Sequence, residues 1–174
     1  MAIFEKYHPI MSVHYTMDWL TLFKAKDVLT MRQNLEIAQA QARPVDKTIG
    51  DTAHFINRAM ALVMGNKALL YGIRDRQSDE LVGTFGLFGF TTDGKCATVR
   101  MATLPETDSA VLTEVLPRML GFAVHELGLT KLQAGQIVRA ADRELYLANH
   151  FSQQKDGSLV LNAADILTLP EYHF

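Results

Sequence analysis

Apolar positions along the chain change their spacing several times, and each change marks an element. Trp19-Leu20-Thr21-Leu22-Phe23 is a compact run that predicts a first strand. From about Lys26 the spacing lengthens. Val28, Met31, Leu35 and Ala38 share one helical face, with Asp27 placed to cap its start. Ala42–Gly50, carrying Pro44, Asp46 and Gly50, reads as a loop too short to separate a pair of domains. Thr52 is expected to cap a second helix, with Phe55, Ala59, Met60 and Val63 inward and Asn66 as its stop.

The middle of the chain switches to short runs of strand formers: Ala68–Arg74, Leu81–Phe90 and Cys96–Leu104. Polar residues from Arg76 to Glu80 separate the first two. Thr92-Asp93-Gly94-Lys95 separates the last two, its Asp-Gly pair accepting a tight turn. The three runs predict an antiparallel meander. Gly83, Gly86 and Gly89 weaken the central run as a strand and mark a bulge or the close approach of another backbone.

After Pro105 the helical period returns. Leu112, Val115, Leu116, Met119, Ala123 and Leu127 form one face, and Gly128 is placed as a left-handed stop. Pro117 removes one backbone donor from that helix and can kink it. Leu132–Val138 is the next strand, and Asp142 is placed to cap a short helix through Asn149. Lys155-Asp156-Gly157 is a turn, with closing strands at Leu159–Leu161 and Ile166–Leu169. This order predicts an α/β fold: a single domain over residues 1–174, with a central mixed, mostly antiparallel sheet flanked by helices.

Composition narrows the function classes. Apolar residues at 48% and charged residues at 21% exclude a disordered chain. Seventeen basic against nineteen acidic side chains, a net charge of −2, speaks against nucleic-acid wrapping, which needs a basic face. The single cysteine, Cys96, allows no intramolecular disulfide and reads as a small core residue. None of the six histidines has the paired spacing of a zinc helix, so no metal is expected. No apolar run approaches the ~18 to 20 residues that cross a bilayer, and the first residues show no signal pattern. The expectation is a cytoplasmic protein with no membrane partner. The feature with chemical content is the start of the long helix after Pro105, where dipole and free N–H groups favour an anion.

Three segments carry a family resemblance. They are Glu80-Leu81-Val82-Gly83-Thr84-Phe85-Gly86-Leu87, then Thr113-Glu114 followed by Phe122 through Leu129, and Tyr146 through Phe151. With the order of elements, they resemble the GNAT superfamily of acetyl-CoA-dependent N-acetyltransferases, in particular the branch that acetylates N-termini of ribosomal proteins. The likeness runs from Trp19 to Glu171. It implies a GNAT-like acyl-CoA N-acyltransferase fold, acetyl-CoA as co-substrate, and direct acetyl transfer to a primary amine, a protein N-terminus or a small molecule.

The family binds the cofactor diphosphate before the long helix, with Gln or Arg, then Gly three residues on, then Gly or Ala two further. The matching stretch here is Thr107-Asp108-Ser109-Ala110-Val111-Leu112, so Thr107, Ala110 and Leu112 stand at the pattern positions and Asp108 adds a negative charge. The resemblance assigns cofactor contacts to Met101, Ala102 and Thr103 and to Asp108, Ser109, Ala110, Val111, Leu112 and Thr113. It makes Tyr146 the donor to the leaving thiolate; the alternative is a core aromatic. Glu106 is the nearest carboxylate and a base through water; the alternative is a partner of the helix dipole. Arg139, Asp142 and His150 stand where the family usually has Asn, Ser and Gly. These departures keep a second reading open, a catalytically inactive relative serving as a binding or assembly module, with a homodimer as one form.

Overall fold

The computed structural model describes residues 3–174. Its strands are β1 Ile10–Met11, β2 Tyr15–Trp19, β3 Leu69–Asp75, β4 Leu81–Phe88, β5 Cys96–Ala102, β6 Lys131–Ala134, β7 Ser152–Gln153 and β8 Leu159–Asn162. Its helices are α1 Ala25–Arg32, α2 Leu35–Ala40, α3 Ile49–Met64, α4 Ala110–Gly121 and α5 Ala140–Ala148. The eight strands lie in the order β1-β2-β3-β4-β5-β6-β8-β7. β5 and β6 run parallel, while β1–β2, β2–β3, β6–β8 and β7–β8 are antiparallel. The sheet is therefore mixed and mostly antiparallel, as the sequence predicts. The chain forms two compact units: residues up to Gly86 with Met101–Asp108, and Leu87–Arg100 with Ser109–Phe174.

In the first unit the chain leaves β2 earlier than the apolar run suggests. Leu20–Leu22 coils into a 3-10 turn, which lays the Phe23 ring where a Cβ on Gly72 would stand, 2.6 Å away. Gly72 therefore matters because an aromatic ring takes the space of its side chain. The expected helix from Lys26 divides at Gln33–Asn34, because Asn34 caps a new helix by accepting the Ile37 N–H at 3.0 Å. Asp27 lies in the first turn of α1 rather than at its cap, which is Lys24.

Thr48, not Thr52, caps α3. It forms a reciprocal capping box with Asp51. The buried stripe is accordingly Thr52, Ile56, Ala59 and Val63, with Phe55 and Met60 half-buried at its margin. Thr52 is fully buried and donates its hydroxyl to Asp46 at 2.7 Å. The same carboxylate receives the Arg32 guanidinium in two places, Nε at 2.5 Å and Nη2 at 3.1 Å, and that guanidinium lies 3.6 Å over the Phe55 ring. Burial pushes the Asp46 carboxyl up, but the hydrogen bonds from Arg32 and Thr52 outweigh it and hold it below its usual range. This pair fastens the loop before α3 to the end of α1.

In the second unit β5 and β6 pair from Cys96↔Lys131 to Val99↔Ala134. The Gly135 N–H then donates to the Val99 carbonyl at 2.7 Å. β6 stops there instead of reaching Val138, and a Cβ on Gly135 would lie 2.7 Å from that carbonyl oxygen, so the close approach needs a glycine. Ile166–Leu169 is not a strand either. After β8 the chain enters a 3-10 turn at Ala163–Asp165, and Ile166 serves as a fully buried plug. α4 keeps Pro117 within it and passes into a π-helical turn over Phe122–Glu126. Gly128 ends the segment at φ +70°, as its placement predicts. Gly121 is buried against the main chain of Tyr172, and the Tyr172 hydroxyl donates to Asn149 at 2.8 Å. Among the described residues no helix is long and apolar enough to cross a membrane.

Two outcomes test these contacts. Asp46→Asn is expected to lower stability in urea by on the order of 2 kcal/mol at pH 7, because a charged acceptor is lost from a buried site. Asp46 ionises lower folded than unfolded, so its contribution is present above the unfolded carboxylate range, about pH 4. It disappears as pH falls through the folded value, and the gap between variant and wild type closes there. Gly135→Ala is expected to cost about 1–3 kcal/mol by thermal unfolding, since the new methyl must displace a backbone carbonyl.

Candidate functional site

The end of β5 is where polar main chain becomes available. The parallel ladder stops at Val99↔Ala134, while β5 continues through Arg100, Met101 and Ala102. Met101, Ala102 and Thr103 are buried at 4%, 0% and 6% exposure, so what they can offer a ligand is backbone rather than side chain. Gly83 on β4 meets this stretch. A Cβ there would lie 3.0 Å from both the Ala102 carbonyl oxygen and the Thr103 methyl. This is the close backbone approach that a glycine inside a strand signals.

The chain then turns, the Thr107 N–H donating to the Leu104 carbonyl at 3.0 Å. Glu106 is exposed on this turn and Asp108 is exposed just after it. In the second unit, α4 opens at Ala110 behind Ser109. Ser109 already has helical dihedrals, φ −61° and ψ −20°, and makes no side-chain cap. Its carbonyl instead accepts the Thr113 N–H at 3.2 Å and the Thr113 hydroxyl at 2.8 Å. The Thr113 hydroxyl is thus taken up inside the helix. Ala110 is exposed, while Val111 and Leu112 are buried side chains. A first helical turn presents its N–H groups along the axis whatever its side chains do. The first-turn amides ahead of Thr113 are therefore the donors that an anionic group could use, since the Thr113 N–H is spent on the Ser109 carbonyl.

Tyr146 lies on α5, whose buried residues are Asp142 and Tyr146. The phenol ring packs edge-on to Phe151 at 4.9 Å between centroids. Burial first, and then the Asp142 charge, pushes the phenol above its ordinary value. Asp142 is not the cap of α5: Arg139 holds that position, with no side-chain cap bond. His150 adopts φ +70°, which explains why the resembled pattern carries glycine before Phe151. Among the described residues no group of three or more His, Cys, Asp or Glu could hold a metal ion.

The structure thus sorts the expected residues. Met101, Ala102, Thr103, Glu106 and Asp108 belong to the first unit, and Ser109 through Thr113 and Tyr146 to the second. Sequence reasoning missed Gly135, whose signal was a lone glycine inside the expected strand Leu132–Val138.

No family model matches the sequence, and no curated protein matches it. Solved structures do match in fold. A spermidine N-acetyltransferase from Vibrio cholerae, in complex with CoA and spermine, is 15% identical with TM-score 0.74, over 90% of this chain and 100% of that one. A ribosomal-protein-S5-alanine acetyltransferase from Vibrio fischeri is 13% identical with TM-score 0.68, over 91% and 98%. A GNAT-family acetyltransferase from Bacillus anthracis is 12% identical with TM-score 0.69, over 90% and 99%. What is shared at such identities is the backbone, and the chain has the fold of the GNAT acetyltransferases.

Proposed function

We propose that the protein is an acetyl-CoA-dependent N-acetyltransferase, one domain acting on a primary amine of a protein N-terminus or a small molecule. The observation that carries this reading is the first turn of α4. It lies in a chain with this fold, and its cap residue Ser109 makes no side-chain bond to the helix amides. Those amides, from Ser109 to Leu112, would hold the diphosphate, the Thr113 amide being spent within the helix, and the main chain of Met101–Thr103 would receive the pantetheine arm. The bound thioester supplies the activated acetyl carbonyl.

The protein's role is positioning and proton handling. The amine nitrogen bonds to the carbonyl carbon, and the bond from that carbon to sulfur breaks. The proton leaving the nitrogen passes through water to Glu106, which is exposed. Tyr146 offers its phenolic O–H to the departing thiolate. No covalent nucleophile on the protein is needed. A second reading, a non-catalytic binding module, is favoured by Asp108, an exposed acidic residue directly before Ser109 in the chain.

Acetyl-CoA at millimolar concentration is expected to raise the melting temperature. Absence of a shift, of binding heat and of acetyl transfer to any amine removes the enzymatic reading. The double variant Asp108→Gly, Ala110→Gly is expected to bind more tightly than wild type. Binding seen only in that variant selects the second reading. Tyr146→Phe is expected to lower turnover at least about tenfold, with the acetyl-CoA melting shift retained; unchanged turnover dismisses its role.

A further inference from the structure

α5 ends in a conformation that its own sequence does not favour. Asn149 closes the helix, and His150 follows at φ +70°, a left-handed region that is unfavourable for any residue with a Cβ. Such a backbone persists where its surroundings hold it. The Asn149 N–H donates to the Tyr146 carbonyl at 3.0 Å, and the Phe151 N–H returns to the same oxygen at 3.2 Å. The side chain of Asn149, 6% exposed, donates from Nδ2 to the Leu145 carbonyl at 2.9 Å. A carbonyl can only accept, so the amide oxygen faces away from it. There it accepts the Tyr172 hydroxyl at 2.8 Å. Tyr172 is itself seated firmly. It belongs to the 3-10 turn Pro170–Tyr172 and is 2% exposed. A Cβ on Gly121, at the end of α4, would fall on its carbonyl. Beside it the Phe174 ring lies 5.3 Å from Phe122, with the Arg118 guanidinium 4.4 Å over it. The segment thus joins the end of α4 to the end of α5. Phenylalanine would fill the core equally well at residue 172. The hydroxyl adds one donor, aimed at the residue that closes α5.

We propose that Tyr172 is a positioning residue: its hydroxyl, acting through Asn149, fixes the last turn of α5 and with it the place of Tyr146. The path is continuous. Tyr172 holds the Asn149 side chain, Asn149 and Phe151 hold the Tyr146 carbonyl, and the Phe151 ring meets the Tyr146 ring edge-on at 4.9 Å. Without the hydroxyl the Asn149 amide oxygen loses its donor in a buried place, and the turn opens more often. A group that donates to a departing sulfur must stand within hydrogen-bond reach of it, so a loosened Tyr146 costs turnover. Cofactor affinity depends on other groups, the first-turn amides of α4, and is unaffected. The effect on turnover rests on the proposed reaction; the fixing of the turn does not.

The test uses full-length protein and two readouts. The first is amide hydrogen exchange at Phe151, followed by NMR. In Tyr172→Phe this exchange is expected to speed up about fivefold. It is expected to rise in Asn149→Ala as well, and adding Tyr172→Phe to that variant is expected to change it by less than about twofold. Unchanged exchange in folded Tyr172→Phe overturns the proposal. An equal effect of Tyr172→Phe with and without Asn149 also overturns it, since the hydroxyl then acts elsewhere. Where Tyr172→Phe does not fold, unchanged exchange in Asn149→Ala overturns it instead. The second readout is acetyl transfer. Tyr172→Phe is expected to lower kcat at least about threefold, to leave KM for acetyl-CoA within about twofold, and to have no further effect in Tyr146→Phe. Unchanged kcat in an active Tyr172→Phe protein overturns the positioning role. Exchange that responds as expected in a protein that transfers no acetyl group upholds the fixing of α5 and removes only the proposed reaction.

Discussion

The hydrogen bond from the Gly135 N–H to the Val99 carbonyl, 2.7 Å long, is the constraint that sets where the pairing of β5 with β6 ends. It is the last contact of the parallel ladder between β5 and β6. Up to it, both strands satisfy each other's main chain. Past it, β5 runs on through Arg100, Met101 and Ala102 without a β6 partner. A backbone freed from a ladder on one side must find other partners there. Glycine is required at residue 135 because any side chain would press on the carbonyl that closes the ladder.

Asp46 and Tyr71 are buried polar groups held by full pairing. Asp46 sits among Arg32, Thr52 and the loop before α3, and both oxygens of its carboxylate are engaged. Its buried charge is acceptable because the guanidinium is bidentate and stacked on Phe55. Tyr71 is treated alike. Its ring stacks on Trp19 at 4.9 Å and its hydroxyl donates to the Tyr7 carbonyl at 2.7 Å.

The substitutions in the α4 turn are less damaging than their chemistry suggests. Glycines in such a turn allow close approach, but the donors are main-chain N–H groups, which every residue at these positions supplies. The Thr113 hydroxyl donates to the Ser109 carbonyl inside the helix, which leaves the turn's N–H groups as its shown polar feature.

Local pattern determined a good deal by itself. The turn at Asp93-Gly94, the three middle strands, the face of α4 and the stop at Gly128 all follow from short-range preference and apolar spacing, and all are present. So do the order of elements and the mixed sheet. Other features were decided only in three dimensions. The 3-10 turn after Trp19 brings Phe23 onto Gly72. Thr52 left the cap of α3 for the buried Asp46 carboxylate, with Thr48 taking its place. Ile166 fills the core from an irregular segment instead of a strand. In each case two residues distant in sequence compete for one space or one hydrogen bond, and no window along the chain contains both competitors. The ladder's end at Val99 and Gly135, and with it the candidate site, belongs to this second class.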